Sequence, residues 1–453
     1  MRYFWIISAL FLSLGLLNSC ADSVPDNKTV GEDRSVDLNE IKRKGVIYEV
    51  NIRQFTGEGT FAAFSDHISR LSEMGVDIIW LMPIHPIGEK ERKGELGSYY
   101  SVRDYKGINP EFGDEEDLRN LIRKAHDSGM IVILDWVPNH TAWDAVWTET
   151  NPEFYVREDG HFIIPPDTDW TDVIQLDYDN QEMRKAMMDA MAYWVSEFDI
   201  DGFRCDVAGY VPNDFWEEAI SHLNEIKPVF MLAEWEDPTH HEVGFHMSYA
   251  WELHSIMNRL AQRESTFRDL REYWDKEQKR FPSDALRMVF IDNHDENSWN
   301  GTISERMGDN ADAMAVFSFT FPGMPLIYTG QEAALDFRLP FFEKSEVPWG
   351  SFEKQDFYTQ LIALKKENPS LWNAPHGAEP VFYPGHENLI AYSRNRENNT
   401  VFTVLNLSEE EQSFEIPLNS ESAKDFFSGD EEPLTGGEVI SLRPHSYKVW
   451  VIN

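Results

Sequence analysis

Two charged residues close an otherwise apolar run at residues 200–206, which reads I-D-G-F-R-C-D. Ile200, Phe203 and Cys205 suit a strand interior, whereas Arg204 and Asp206, two positions apart, project from one face of an extended chain. A carboxylate held beside a guanidinium where water is scarce keeps its charge, the condition a carboxylate nucleophile needs at neutral pH. Asp206 is therefore the candidate nucleophile; the alternative for such a pair is a buried structural ion pair. Three more polar clusters follow apolar runs: D-W-V-P-N-H at 135–140, A-E-W at 233–235 and D-N-H-D at 292–295. With Asp206 and Glu234 flanking one scissile bond, one carboxylic acid can protonate a leaving oxygen while the other carboxylate attacks the sugar carbon or activates water. That is the requirement of glycoside hydrolysis. Trp235 gives Glu234 an apolar neighbour that favours its protonated form, and Arg204 keeps Asp206 ionised. His294 and Asp295 can bond sugar hydroxyls and favour an oxocarbenium-like state.

Bringing four such clusters together requires elements in a repeated register. From residue 45 onward short apolar runs alternate with amphipathic stretches, the pattern of strand–helix units with a parallel sheet. Eight runs read as strands: 46–50, 76–82, 130–136, 200–206, 229–234, 245–249, 287–292 and 325–328. Three-and-four spacing of apolar residues predicts helices over 61–74, 115–128, 181–198 and 213–227. Eight repeats predict an α/β fold, a (β/α)8 TIM barrel over 41–372, whose chemistry belongs at the carboxyl ends of the strands. All four clusters fall there. The long connection at about 138–176 reads as a short inserted domain over the barrel mouth. A last helix is expected at 351–368, and the alternating runs 401–405, 414–416 and 447–451 predict a separate C-terminal all-β sandwich domain over 373–453.

The net charge of −39 and sequence pI near 4.6 oppose binding to nucleic acid or to anionic lipid surfaces, and favour a neutral substrate. Fifteen tryptophans offer flat faces suited to sugar rings, although most tryptophans pack cores. Residues 1–20 carry Arg2, an apolar run and the ending L-N-S-C, which reads as an export signal and resembles a bacterial lipobox with Cys20 as the lipidated residue. Polar residues 21–40 then form a tether. The expectation is an exported protein held at the cell envelope, meeting the membrane through its lipid anchor only.

The four clusters, in this order, resemble the short motif regions of the α-amylase family, glycoside hydrolase family 13. The resemblance implies Asp206 as nucleophile, Glu234 as acid/base and Asp295 as transition-state stabiliser, with Arg204, His140 and His294 binding sugar. Tyr100, in S-Y-Y-S-V-R-D-Y, resembles the family's stacking tyrosine, and P-G-M-P-L-I-Y-T-G-Q-E at 322–332 its eighth strand. A retaining hydrolase of α-glucosidic, mainly α-1,4, bonds in starch-type glucans or maltooligosaccharides is implied. Neopullulanase, α-glucosidase and glucanotransferase share these carboxylates, and a non-catalytic glucan-binding protein is the alternative of another class. Two departures stand out. A Lys-His pair common after the family's nucleophile is replaced by Gly209 and Tyr210, which alters the leaving-group side. Asn139 matches a frequent calcium ligand, yet the replaced histidine usually helps to hold that ion, so no cofactor is obligatory and calcium stays a candidate at Asn139. Metal-dependent hydrolysis by His140, His294 and Asp295 lacks a His-x-His or His-Glu-x-x-His pattern.

Overall fold

The computed structural model describes residues 37–453. The leader with Cys20, and the tether as far as residue 36, lie outside the described residues. Residues 38–40, read as tether, instead open the helix Leu38–Lys44: the Asp37 side chain accepts from the Asn39 N–H, and Ile41 is buried.

Eight parallel strands close a barrel, each beside its neighbours in chain order. They are β1 (Ile47–Val50), β2 (Ile78–Leu81), β3 (Ile131–Trp136), β4 (Gly202–Cys205), β5 (Phe230–Ala233), β6 (Met247–Tyr249), β7 (Leu286–Val289) and β8 (Met324–Tyr328). Side chains alternate between two apolar layers. Ile47, Ile78, Ile133, Leu232, Met288 and Leu326 fill the interior, while Tyr48, Val132, Phe203 and Met231 face the surrounding helices. Gly202 is required at the narrowest approach: its φ is +152°, and an added Cβ would stand 1.8 Å from the Phe230 carbonyl oxygen. Inward positions stay apolar up to the last one of each strand. There β1, β3 and β4 switch to Glu49, Asp135 and Arg204, all fully buried.

The outer helices follow their signals. Asp114 and Asp117 form a capping box for Glu115–Asp127, and Asn180 caps Gln181–Phe198. The helix expected over 61–74 is two helices, Phe61–Ser65 and Ile68–Met74, separated by a turn at Asp66 and His67. Phe61, Phe64, Ile68 and Leu71 keep helical spacing and burial across that break, so periodicity alone cannot reveal it.

After β3 the chain makes an excursion built on His140–Ala142 paired antiparallel with Val173–Gln175. Beyond the helix Gln355–Glu367 come two antiparallel sheets, one of six strands and one of two, enclosing Phe402, Phe414, Leu442 and Trp450. This β unit is not detached from the barrel: Ile390, Tyr392, Val401 and Val449 belong to the same apolar core as the barrel's outer face. The Tyr392 hydroxyl lies 2.6 Å from Thr320 Oγ1, and the buried Arg394 guanidinium donates to the carbonyls of Leu371 and Trp372. Among the described residues no helix is long and apolar enough to cross a membrane.

Candidate active site

Cross-strand register brings the first two charges together, because Asp135 of β3 lies directly opposite Arg204 of β4. Arg204 Nη1 donates to Asp135 Oδ1 at 2.8 Å and to Asp206 Oδ1 at 3.2 Å, and Nε donates to the Tyr249 hydroxyl at 3.2 Å. Nη2 stands 2.8 Å from Glu234 Oε1, outside hydrogen-bond alignment. One buried cation thus contacts three carboxyls from three consecutive strands. Burial first, then the Glu234 charge, pushes the Asp206 carboxyl well above the ordinary carboxylate range, with Arg204 opposing. Glu234 is also raised, by burial first; Arg204 opposes and Asp295 adds to the rise. Arg204 favours the ionised Asp206 expected from the sequence, while burial and Glu234 oppose it. Each carboxyl thus raises the cost of ionising its neighbour, and the guanidinium between them lowers it.

A second arm descends from the residues after β7. His294 Nδ1 lies 2.5 Å from Glu49 Oε1, and Nε2 lies 2.8 Å from the Tyr100 hydroxyl and 3.3 Å from Asp295 Oδ2. The Tyr100 hydroxyl donates in turn to Asp135 Oδ2 at 3.0 Å. Burial works to lower His294, but Asp295 and Glu49 outweigh it and bring its pKa up to about 9. His294 is thus an imidazolium donating from both nitrogens, and a continuous chain links it through Tyr100 and Asp135 to Arg204. The Tyr100 ring stacks on His294, with centroids 5.4 Å apart, and on Phe341. His140, by contrast, is pushed down to about 3 by burial, which the Tyr100 carbonyl only partly offsets. Its Nδ1 accepts from Asn139 Nδ2 at 3.2 Å, so the neutral ring carries its proton on Nε2. Tyr100, His140, Asp206, Glu234, His294 and Asp295 all line one cavity of about 490 Å³.

The sequence family described as alpha amylase, catalytic domain, matches residues 19–172 and 167–355, and that described as maltogenic amylase, C-terminal domain, matches 381–449. The chain belongs to the alpha-amylase family. Alpha-amylase MalA of Haloarcula japonica is 27% identical over 95% of this chain, which spans 65% of that relative's length. The maltogenic alpha-amylase of Bacillus acidopullulyticus is 27% identical, with 88% of this chain and 72% of that one covered. Among solved structures, an alpha-amylase from Lactobacillus plantarum superposes with a TM-score of 0.83 at 28% identity, covering 91% of this chain and all of the other. A noncanonic maltogenic alpha-amylase, AmyB of Thermotoga neapolitana, gives 0.81 at 28% identity over 91% of this chain and 99% of that one.

Two local features bear on the departures read in the sequence. The ring of Trp235 occupies the space beside residue 209: a Cβ added to Gly209 would meet the indole at 2.1 Å. The substitution read in the sequence is thus coupled to its partner in A-E-W. Tyr210 and Trp170 extend the aromatic surface, with centroids 5.4 Å between Tyr210 and Trp235 and 6.3 Å between Trp170 and Tyr210. At the calcium candidate, Asn139 Oδ1 accepts from Gln175 Nε2 at 2.9 Å. The oxygen that would ligate is engaged by an amide donor and its side-chain neighbour is the neutral His140, so the residues around Asn139 do not fit calcium.

Several contributors carry little signal in the sequence. Val207 has φ +37°, a left-handed conformation that a β-branched residue rarely adopts, and in it the Val207 N–H donates to Glu234 Oε2 at 2.8 Å. Glu49 is one charge in a four-residue strand. Its clue is the one that marked Arg204, a charge at the last inward position of a buried strand. Lys93 and Asp172, in loops with no periodicity, also line the cavity.

Proposed function

We propose that this family member is a retaining hydrolase of α-glucosidic, mainly α-1,4, bonds in maltooligosaccharides and starch-type glucans. Asp206 attacks the anomeric carbon as the glycosidic bond breaks, and the leaving oxygen takes the proton of Glu234. Glu234 then removes a proton from water, whose oxygen attacks the same carbon and releases Asp206 from the glycosyl ester. Asp295 stabilises the positive charge that develops at the sugar ring, His140, His294 and Tyr100 hold the sugar hydroxyls and ring face, and the buried Arg204 positions Asp206 and Glu234 from behind. The observation that carries this reading is the Arg204 fork, with Asp206 and Glu234 on one guanidinium at the cavity floor. No step requires a metal. The aromatic pair of Trp235 and Tyr210 is what favours the alternative readings, neopullulanase, α-glucosidase or glucanotransferase, in which the acceptor differs. The L-N-S-C ending supports export and lipid anchoring at Cys20, the protein's sole membrane attachment in this reading.

The test is a product time course on maltoheptaose, soluble starch and pullulan, recording the anomer first released, with Asp206→Asn and Glu234→Gln alongside. The α-anomer should appear first, and each variant should lose about 10²-fold or more in kcat while unfolding at the wild-type temperature. Near-wild-type turnover in either variant refutes the assignment, and glucan binding without turnover in the wild type would point to a binding protein.

A further inference from the structure

The connection after β2 contains a loop, residues 88–101, that is fastened at its base and at its tip. At the base Ile87 and Val102 form an antiparallel bridge, and the Gly88 N–H donates to the Ser101 carbonyl at 2.9 Å. Arg53 holds one flank, donating to the carbonyls of Gly97 and Leu96 at 3.1 and 3.3 Å. Two partners grip the tip. Toward the segment after β8, the Leu96 N–H donates to the Phe342 carbonyl at 3.0 Å and the Glu95 N–H to Glu343 Oε1 at 2.9 Å. Gly94 makes this contact feasible, since its φ is +64° and an added Cβ would stand 2.4 Å from Phe342 Cβ. Toward the excursion, Lys93 Nζ donates to the Asp169 carbonyl and pairs with Asp172 Oδ1, both at 3.1 Å. Asp172 is itself fixed, its carbonyl accepting from Ser101 Oγ at 3.1 Å.

Phe342, Lys93 and Asp172 all line the catalytic cavity, so the loop tip joins two of its walls. Trp299 prolongs the wall beyond Phe342, with ring centroids 5.7 Å apart. The cavity, of about 490 Å³, opens to solvent, and Lys93, Asp169, Asp172, Phe342 and Trp299 are among the residues that line it.

We propose that this strap is a chain-length selector: latched by the Lys93–Asp172 pair, it closes one side of the cleft and restricts it to short α-glucans or chain ends. The inference rests on the glycosidase reading above. An internal bond of a polymer is reached only if the chain leaves the cleft on both sides of the cut. A continuous wall prevents that, and the ammonium of Lys93 is the part of the wall that one substitution can release.

The test compares kcat/KM on soluble starch with kcat/KM on maltoheptaose for the full chain and for Lys93→Met, Lys93→Arg and Asp172→Asn. The starch-to-maltoheptaose ratio should rise about tenfold in Lys93→Met, with longer products appearing early. Asp172→Asn should shift the ratio the same way, and Lys93→Arg should keep it near wild type. Equal ratios in folded wild type and Lys93→Met overturn the strap while leaving the glycosidase reading intact. A wild type inert on both substrates overturns that reading itself.

Discussion

His294 offers the sharpest electrostatic test, because Asp295 and Glu49 hold its proton against burial and against Arg204. Glu49 of β1 faces Nδ1, Tyr100 and the adjacent Asp295 face Nε2, and Asp135 of β3 and Arg204 of β4 lie behind Tyr100. Its pKa is about 9 in the fold against the ordinary 6.5. The fold therefore binds this proton more tightly than the unfolded chain does. The stabilisation is complete below pH 6.5 and is lost as the pH rises through 9. A difference of about 2.5 at 1.36 kcal/mol per pH unit gives roughly 3 kcal/mol. Urea unfolding followed by circular dichroism, stepped from about pH 6 to 10, should show the wild type losing that amount relative to His294→Gln. Glu49→Gln should move the loss to lower pH, since burial then meets less opposition. A histidine 15N resonance titrating near 9 and absent from His294→Gln would identify the group directly. Identical pH slopes in wild type and His294→Gln refute the reasoning.

Two further substitutions probe the same floor. Arg204→Met strands three buried carboxyls, Asp135, Asp206 and Glu234, and should cost about 3–5 kcal/mol in urea unfolding. Adding Asp135→Asn should recover part of that loss, and no recovery would contradict the pairing. Val207→Gly removes a left-handed backbone penalty of about 1–3 kcal/mol against a glycine entropy cost of about 0.5–1 kcal/mol, and should raise thermal stability by roughly 1 kcal/mol. An unchanged or lower melting temperature would mean that Val207 is not strained.

What the sequence revealed and what it hid divide along physical lines. The barrel strands were legible because burial on both faces leaves continuous apolar runs, and Arg204 and Asp206 because charges terminate one of them. Glu49 stood in the same position on β1, yet one charge among four residues has no companion to mark it. Val207 was invisible in principle, since valine is a poor choice for the conformation it holds. The Lys93–Asp172 latch joins residues far apart in the chain and depends on how two irregular connections meet, which no periodicity encodes. Gly209 was read as a departure, but the indole of Trp235 that fills the space beside it is visible only in three dimensions.

Charge balance ties the site to the proposed reaction. Among the described residues, five carboxyls, from Glu49, Asp135, Asp206, Glu234 and Asp295, contact two cations, Arg204 and His294. Were all of them ionised, three negative charges would remain in excess, and burial accordingly raises Glu49, Asp135, Asp206 and Glu234, with Arg204 opposing each rise. The remaining negative excess lies where the proposal puts an oxocarbenium-like centre, and a preorganised anionic floor lowers the energy of that cation more than that of the neutral sugar. Arg204→Met would make the floor more negative and raise the proton affinity of the pair further. The acidic limb of its pH–rate profile should therefore move to higher pH even as turnover falls, whereas a site relying on Arg204 only for packing would lose turnover with the limb unmoved.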